Sequence, residues 1–396
     1  MGKGYKKALY IGRCGLPNNA PSIRIYNNSK ILHKLGYHVD VLCLLESDDT
    51  QVHIVYSDWL QYFFIREKNH KVPGIFDKIR DTLEVIFNHR AIKKIIEQIK
   101  VSEPQVIVTY NDLFFSSLFL IRYCKKHGIK LVCDVTEWYE KRPLQKNIAS
   151  FMLPLLTDWR IRYLDVKIGN IIAISPYLKQ YYQSKKCNNL YLPPVFDQSS
   201  KVNVTKYNYY DHHVINFIYA GSPGNKDILM PFIKTVYNIN SSTIKIRFDI
   251  FGVDESYISD SNYLNSNLED KGIIFHGRVR HEEINSYLDK ADFSVLLRHN
   301  KRYAKAGFST KLAESMLNGV AIFANKVGGA ESIIENNVDG IIISDTNENT
   351  IQEKLEKLLL LSDENMLSLR IKAAKKASDF FNMRKYITQT EDFLNK

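Results

Sequence analysis

The chain has 396 residues, 45% of them hydrophobic, and a formal net charge of +11. That length exceeds one typical core and predicts two globular domains. No run approaches about 18 uninterrupted apolar residues, which argues against a membrane span, and five cysteines without a CxxC argue against a disulfide framework or a structural zinc site.

Lysines are spread along the chain, so the charge predicts an anionic partner: a phosphorylated substrate, an anionic membrane face or nucleic acid. No zinc-finger or RNP-like pattern accompanies it, and a nucleic-acid partner is not expected. The opening MGKGYKKALYIG lacks an apolar run of signal-peptide length, and the odd cysteine count suits a reducing compartment. The expectation is a cytoplasmic protein, with a peripheral contact on the inner membrane face as an extension of the charge argument.

KKALYIG (6–12) reads as a strand, RCGLPNNAPS as a Gly/Pro/Asn loop, 23–35 as a helix stopped by Gly36, and HVDVLCL (38–44) as a second strand. That order is a βαβ unit and predicts a parallel sheet. Gly12-Arg13-Cys14-Gly15 is not GxGxxG, so a dehydrogenase is not indicated. HIVYSDWLQYFFI is aromatic without a clear period. A basic helix follows over about 76–99, either lying on a membrane surface or packed on the core with a solvated basic face. QVIVTY (105–110), a helix over 113–126 and KLVCDV (130–135) come next. DVTEWYEKR (134–142) then lies just past a strand's carboxyl end, where open α/β sheets bind ligands. Asp134, Glu137 and Glu140 supply carboxylates there, and Trp138 and Tyr139 flat faces for a sugar ring; the alternative is a polar loop in water. A helix over 150–167, a strand at 170–175, a helix opened by Pro176 at N1 and NLYLPPVFD (189–197) close this half. Pro193-Pro194 and the polar DQSSKVNVTKYN mark the linker.

The second half starts another βαβ unit: VINFIYA (214–220), GSPGNKD (221–227), a helix from about 228, and IKIRFDIFG (244–252). IIFHGRV (273–279), a helix in HEEINSYLDKA and the strand DFSVLLR (292–298) follow. AGFSTKLAESMLNG (306–319) reads as a glycine bend, an N-cap at Ser309 or Thr310, and a short helix ended by Gly319. Then come VAIFA, the Gly328-Gly329 turn, a helix in AESIIEN, GIIIS (340–344) and helices over about 348–361 and 364–395.

The helix beginning at Thr310 follows a strand's carboxyl edge, so its free N–H groups and positive dipole end suit an anion. Thr310 and Glu314 share a face: a diphosphate at the cap and ribose hydroxyls on Glu314 fit a nucleotide, and the alternative is an ordinary capped helix. In GSPGNKD the glycines allow backbone N–H groups to approach an anion and Lys226 adds charge, but GxxxxGK[ST] is absent and ATP hydrolysis is not indicated. With Arg298 at the end of its strand, several positive groups converge, as a leaving diphosphate requires. No H-x-x-x-H or clustered Asp pair has metal-ligand spacing. Asp48-Asp49 and His212-His213 read as polar loop residues, and no metal or cofactor is expected.

The order YAGSPGNKD, FHGRV, EEINSYLDKADFSVLLR, AGFSTKLAESMLNG and the later GG and DG turns resembles the C-terminal domain of retaining GT-B glycosyltransferases of family four. It covers most of 214–345, and extends more loosely through DVTEWYE, IAISPYLK and LPPVFD. The resemblance implies an α/β GT-B fold, two Rossmann-like doubly wound domains facing a central cleft: 1–197 for the acceptor, with a last helix at about 380–396 packed back on it, and 198–379 for the nucleotide sugar. It implies a retaining, metal-independent hexosyl transfer from a nucleotide-diphosphate sugar, with front-face departure and attack and no protein nucleophile, to a glycan or lipid-linked acceptor in surface polysaccharide biosynthesis. Glu314 corresponds to the second Glu of the E-x7-E motif. Ser222 and Lys226 fall where the family places an Arg/Lys pair on the diphosphate, and Gly277-Arg278 near the base. Gly221, Arg298, Ser309, Thr310 and Lys311 complete the donor set; Gly15, Asp134, Glu137 and Trp138 form the acceptor set; Glu137, Lys226 and Lys311 are the catalytic candidates. The chain departs from the motif at Ala306, which replaces its first Glu, and at Ser222, where Arg is common; Lys311 stands in for the missing cation. The rival readings are a nucleotide-sugar 2-epimerase on the same fold and a non-catalytic nucleotide-sugar or glycan binding protein.

Overall fold

The computed structural model describes residues 5–47, 52–67, 92, 93, 96, 104–111, 114–140, 148–197, 214–224, 226–258 and 267–396. The basic helix read over 76–99 lies outside the described residues apart from three positions, as do Asp48-Asp49, His212-His213 and the polar stretch 198–213. The chain forms two compact units, Met1–Asp197 with Met383–Lys396, and Gln198–Asn382.

Among the described residues the first unit holds eight strands: β1 (Lys6–Gly12), β2 (Tyr37–Ser47), β3 (His53–Ser57), β4 (Leu60–Glu67), β5 (Val106–Tyr110), β6 (Lys130–Val135), β7 (Asn170–Ala173) and β8 (Asn188–Tyr191). Their order is β3-β4-β2-β1-β5-β6-β7-β8. All neighbours are parallel except β3 and β4. β1 shows why the sheet is covered on both faces. Ala8 and Tyr10 join one core with Ile25 and Ile31 of α1 (Ala20–Lys34). Leu9 and Ile11 join another with Leu120 and Cys124 of α2 (Phe114–His127). Continuous apolar strands are what two-sided burial requires.

The aromatic stretch after β2 is the antiparallel β3–β4 hairpin, turned at Asp58-Trp59. Leu60, Tyr62 and Phe64 point inward, and the intervening Phe63 and Ile65 hid this alternation by being apolar too. The helix read over 150–167 is three pieces: α3 (Ile148–Trp159), a π-turn (Arg160–Leu164) and α4 (Asp165–Ile168). The wide turn has its cause in a five-residue spacing: the Asp165 amide donates to the Arg160 carbonyl, and the two buried side chains form an ion pair at 3.4 Å. α5 (Pro176–Ser184) starts with Ser175 accepting from the Leu178 amide.

The second unit has β9 (Ile215–Ala220), β10 (Ile246–Phe251), β11 (Ile273–Gly277), β12 (Phe293–Leu296), β13 (Ala321–Asn325) and β14 (Gly340–Ile343), in the order β11-β10-β9-β12-β13-β14, all parallel. Its helices are α6 (Met230–Ile239), α7 (His281–Leu288), α8 (Arg302–Ala306), α9 (Thr310–Leu317), α10 (Ala330–Ile333), α11 (Glu348–Leu358) and α12 (Asp363–Phe380). Phe217, at ring-centroid distances of 5.1 Å from Phe232 and 5.3 Å from Phe293, centres the core. Buried Arg370 of α12 ties the sheet's amino edge together. It donates to the Gly319 carbonyl at 3.0 Å and meets Asp292 at 3.5 Å, while Asp292 also accepts the Asn216 amide at 2.9 Å.

The strand order reverses between β9 and β12, so the loops leaving their carboxyl ends diverge and open a crevice. The long helix read over 364–395 breaks at Phe381-Asn382, and the chain resumes in the first unit as a 3-10 turn and α13 (Ile387–Asn395). No Gly or Pro marks this break. Phe381 is buried in one unit and Met383 in the other, and packing overrides helix propensity.

Candidate functional site

The β9/β12 switch point is lined by groups from four loops. β9 ends in Tyr219 and Ala220, β12 is followed by Leu297-Arg298, and the segment 226–228 is zipped to the β12 exit. The Ile228 amide donates to the Leu297 carbonyl at 2.8 Å, and Asp227 and Arg298 form an isolated antiparallel bridge. This pairing turns the Asp227 carboxylate inward, where it is 5% exposed.

Asp227 organises the site. Its Oδ1 accepts from Arg298 Nε at 2.8 Å, and its Oδ2 from Lys311 Nζ at 2.6 Å and the Tyr219 hydroxyl at 2.8 Å. Lys311 Nζ also donates to the Tyr219 oxygen at 2.6 Å and stands 4.1 Å from that ring's centroid. Burial would raise the Asp227 pKa, but the Arg298 and Lys311 charges pull it below the usual carboxylate range. Burial lowers the Lys311 pKa, and the attraction of Asp227 offsets only part of that. Two cations on one carboxylate leave the cluster with excess positive charge.

Backbone geometry makes room for the cluster. Gly221 has φ +140°, and a Cβ there would lie 2.6 Å from Lys311 Cε. Gly221 is thus required for Lys311 to reach Asp227. Asn325, at the end of β13, holds the Arg298 backbone from both sides, accepting its N–H at 2.9 Å and donating to its carbonyl at 2.7 Å. Gly328 lies against the Arg298 guanidinium. Ser309 is the backbone N-cap of α9, but its side chain makes no cap bond; Arg298 Nη2 is 3.4 Å from its Oγ. The first turn of α9 therefore starts without side-chain capping beside the cationic cluster, with Thr310 and Lys311 half-buried.

The structure thus brings Gly221, Arg298, Ser309, Thr310 and Lys311 to one edge. The Lys226 carbonyl accepts the His299 amide at 3.4 Å on the same edge. Half-buried Glu314, one turn along α9, lies close enough for its charge to favour protonated Lys311. Exposed Ser222 follows Gly221. Gly277 joins through backbone: the Gly221 amide donates to the Phe251 carbonyl at 3.0 Å and the Gly252 amide to the Gly277 carbonyl at 2.6 Å, with Arg278 exposed beyond. Ala306 is fully buried at the end of α8, so the position of the missing Glu is packed apolar space. Asp227, Tyr219 and Asn325 did not stand out in the sequence. The signal for Asp227 was that it is the sole carboxylate in the loop GSPGNKD.

In the first unit, two expectations are corrected. Asp134 is fully buried and has a structural role. It pairs with Arg24 at 2.7 Å and accepts the Tyr10 hydroxyl at 2.5 Å and Asn28 Nδ2 at 3.2 Å, while Arg24 continues to the Leu192 carbonyl at 3.1 Å. Trp138 is 2% exposed, donates its indole N–H to Asp158 at 2.9 Å and sits edge-on to Tyr181, so it presents no flat face. Between them, Glu137 is half-buried just past β6. Gly15 donates its N–H to Ser22 Oγ at 3.0 Å, and a Cβ there would meet nothing within 4 Å. Among the described residues, no three or more His, Cys, Asp or Glu cluster as metal ligands would.

The chain is similar to several known proteins. Residues 229–377 match the family model described as glycosyl transferases group 1. An uncharacterized glycosyltransferase of Methanocaldococcus jannaschii is 24% identical over 228 residues, 57% of this chain and 59% of that protein. Sucrose-phosphate synthase from Thermosynechococcus elongatus aligns at a TM-score of 0.70 with 12% identity over 98% of both chains. The Anabaena HepE protein in complex with UDP and glucose aligns at a TM-score of 0.55 with 12% identity, over 99% of this chain and 100% of that one. The structural likeness establishes the fold: two Rossmann-like α/β units of the GT-B type.

Proposed function

We propose that the chain is a glycosyltransferase that moves a hexosyl group from a nucleotide-diphosphate sugar to a glycan or lipid-linked acceptor, with retention, in surface polysaccharide assembly. The second unit takes the donor and the first the acceptor. The observation that carries this reading is the Asp227–Arg298–Lys311 cluster beside the uncapped start of α9. When the glycosidic bond to the diphosphate breaks, negative charge develops on the leaving phosphate oxygen. Lys311, Lys226 and the α9 amides meet that charge without reorganising. Asp227, which also holds Arg298, and the Tyr219 oxygen fix the position of the Lys311 ammonium. Glu314 takes the ribose hydroxyls and Gly277-Arg278 the base. Glu137 and the open side of Gly15 orient the acceptor hydroxyl, which attacks from the face the diphosphate leaves, its proton passing to the phosphate oxygen. No metal or cofactor is needed in this scheme, because side chains and amides supply the countercharge. The matched family model and the UDP and glucose in the HepE complex support the donor class.

Thermal shift with a panel of nucleotide diphosphates identifies the base, and a transfer assay over an acceptor panel tests the reaction. Glu314→Ala and Lys226→Ala are each expected to weaken nucleotide-diphosphate binding more than tenfold, about 1.4 kcal/mol. Unchanged affinity in both variants rejects the site. Conversion of donor with no acceptor present points to an epimerase, and tight donor binding without turnover to a binding protein.

A further inference from the structure

The first unit has a switch point of its own. β1 leads to β2 on one side, and β5 lands on the other, so the strand order reverses between β1 and β5 and the loops leaving those strands part. Gly12 brings the β1 exit close over β5: a Cβ there would lie 2.9 Å from Tyr110 Cβ. The Cys14 amide then donates back to the Gly12 carbonyl at 3.0 Å, closing a tight turn with Arg13 at its tip. Gly12 and Cys14 are buried and Arg13 is exposed.

Arg13 is the one charged residue in the loop 13–19, and α1 has no acidic residue in its first turn. The β5 and β6 exits beside it carry neutral groups bonded to one another. Asn111, at φ +45°, accepts the Thr136 amide at 2.9 Å and donates to the Thr136 hydroxyl at 2.5 Å, which in turn donates to the Tyr110 hydroxyl at 3.2 Å. Two arginines of this unit differ sharply. Burial acts on Arg24, but Asp134 more than offsets it and the pKa is raised. Arg13 makes no ion pair or hydrogen bond among the described residues, and the protein crowding it lowers its pKa. A guanidinium partly stripped of water without a counterion is a cost carried by the free protein. An oxyanion returns it through two parallel N–H···O bonds, whereas a sugar hydroxyl leaves the charge uncompensated. Taking the first unit as the acceptor side of the glycosyl-transfer reading, on which this rests, we propose that Arg13 reads a negative charge on the acceptor. The acceptor is an acidic saccharide, with a carboxylate or phosphate near the hydroxyl that is glycosylated.

Titration calorimetry on the full chain, saturated with nucleotide diphosphate, tests this with matched sets of methyl hexosides, hexuronic acids and hexose 6-phosphates. The wild-type chain is expected to bind one acidic set at least tenfold more tightly than its neutral match, and the set that leads identifies the anion. Arg13→Gln is expected to lower acidic-saccharide affinity roughly tenfold to a hundredfold, the loss of a charge-assisted pair, and so to erase the preference. Arg13→Lys keeps the charge without the fork and should retain part of it. Nucleotide-diphosphate affinity and melting temperature should match wild type in both. Three results overturn the proposal. One is a wild-type chain with no preference for acidic saccharides, and another is a preference that survives Arg13→Gln. The third is loss of nucleotide-diphosphate affinity in both variants at an unchanged melting temperature, which makes Arg13 a ligand of the donor phosphates. Arg13-dependent binding of acidic saccharides without transfer from any donor keeps the site and rejects the glycosyl-transfer reading. Transfer to neutral acceptors at the kcat/KM of acidic ones does the reverse.

Discussion

At the residue scale the site is decided by one carboxylate. Asp227 holds two cations in a buried place, and removing one partner of such a group costs far more than the group contributes net. Asp227→Asn is expected to lower stability at neutral pH by about 3 kcal/mol, read by denaturant unfolding. The pH dependence has a definite sign. The Asp227 pKa is depressed in the folded state, so its contribution is complete above the unfolded carboxylate value, about 4, and disappears as pH falls through the folded value. The gap between wild type and Asp227→Asn should therefore begin to narrow below about pH 4 and close only as the folded carboxylate protonates, and a gap that does not narrow with acid contradicts the pairing. Lys311 acts at the alkaline end. Its folded pKa lies below that of free lysine, about 10.4, so nucleotide-diphosphate affinity should decline before that pH is reached. In Lys311→Met this alkaline decline should be absent and affinity already low; titration calorimetry across pH 7.5 to about 10 separates the cases. The sequence pointed to the positive members of this cluster, because Lys and Arg at strand ends beside a helix start fit an anion. It could not show that Asp227 binds them, since that pairing depends on a bridge between two loops 71 residues apart.

At the element scale the weight falls on α9 and what fixes its start. Phe308, just before the cap, is held by the Gly328-Gly329 turn. A Cβ on Gly329 would lie 2.4 Å from the Phe308 ring, and its φ is +91°. Gly329→Ala is expected to cost about 2–3 kcal/mol by combining left-handed strain with overpacking. It should also weaken nucleotide binding, because relieving the clash moves Phe308 and the α9 amides. Loss of stability with unchanged affinity would show that the turn supports the fold alone. Elements whose pattern is local were legible in the sequence: β1, β5, β6 and β13 are short apolar runs bounded by Gly, Asn or Asp, as buried parallel strands are. β3 and β4 were not, because apolar residues on both faces of β4 erase the period-two signal. The π-turn at Arg160–Leu164 was illegible for a different reason: it answers to a buried ion pair, which no propensity encodes.

At the scale of the whole molecule, the last fourteen residues belong to the first unit although they follow the second in sequence. Met383, Tyr386 and Phe393 enter the core that Tyr10 and Val39 begin, and Lys130 Nζ donates to the Leu394 carbonyl at 2.7 Å. Each of those three side chains contributes about 1.5–3 kcal/mol by burial, so together they are comparable with the roughly 5–15 kcal/mol that holds a whole domain folded. Deleting 383–396 should therefore unfold the first unit and spare the second, whose buried Arg370–Asp292 tie and site cluster lie before the cut. Calorimetry is expected to show one transition lost or shifted far down, with the remaining transition still raised by nucleotide diphosphate. A truncated chain that keeps an unshifted first-unit transition would mean that the C-terminal helix rests on that core without stabilising it. Loss of the nucleotide-dependent transition would mean that the second unit cannot hold its site without the first. The two failures bear on different claims, one on how the chain is stapled and the other on whether donor binding is the property of a single unit.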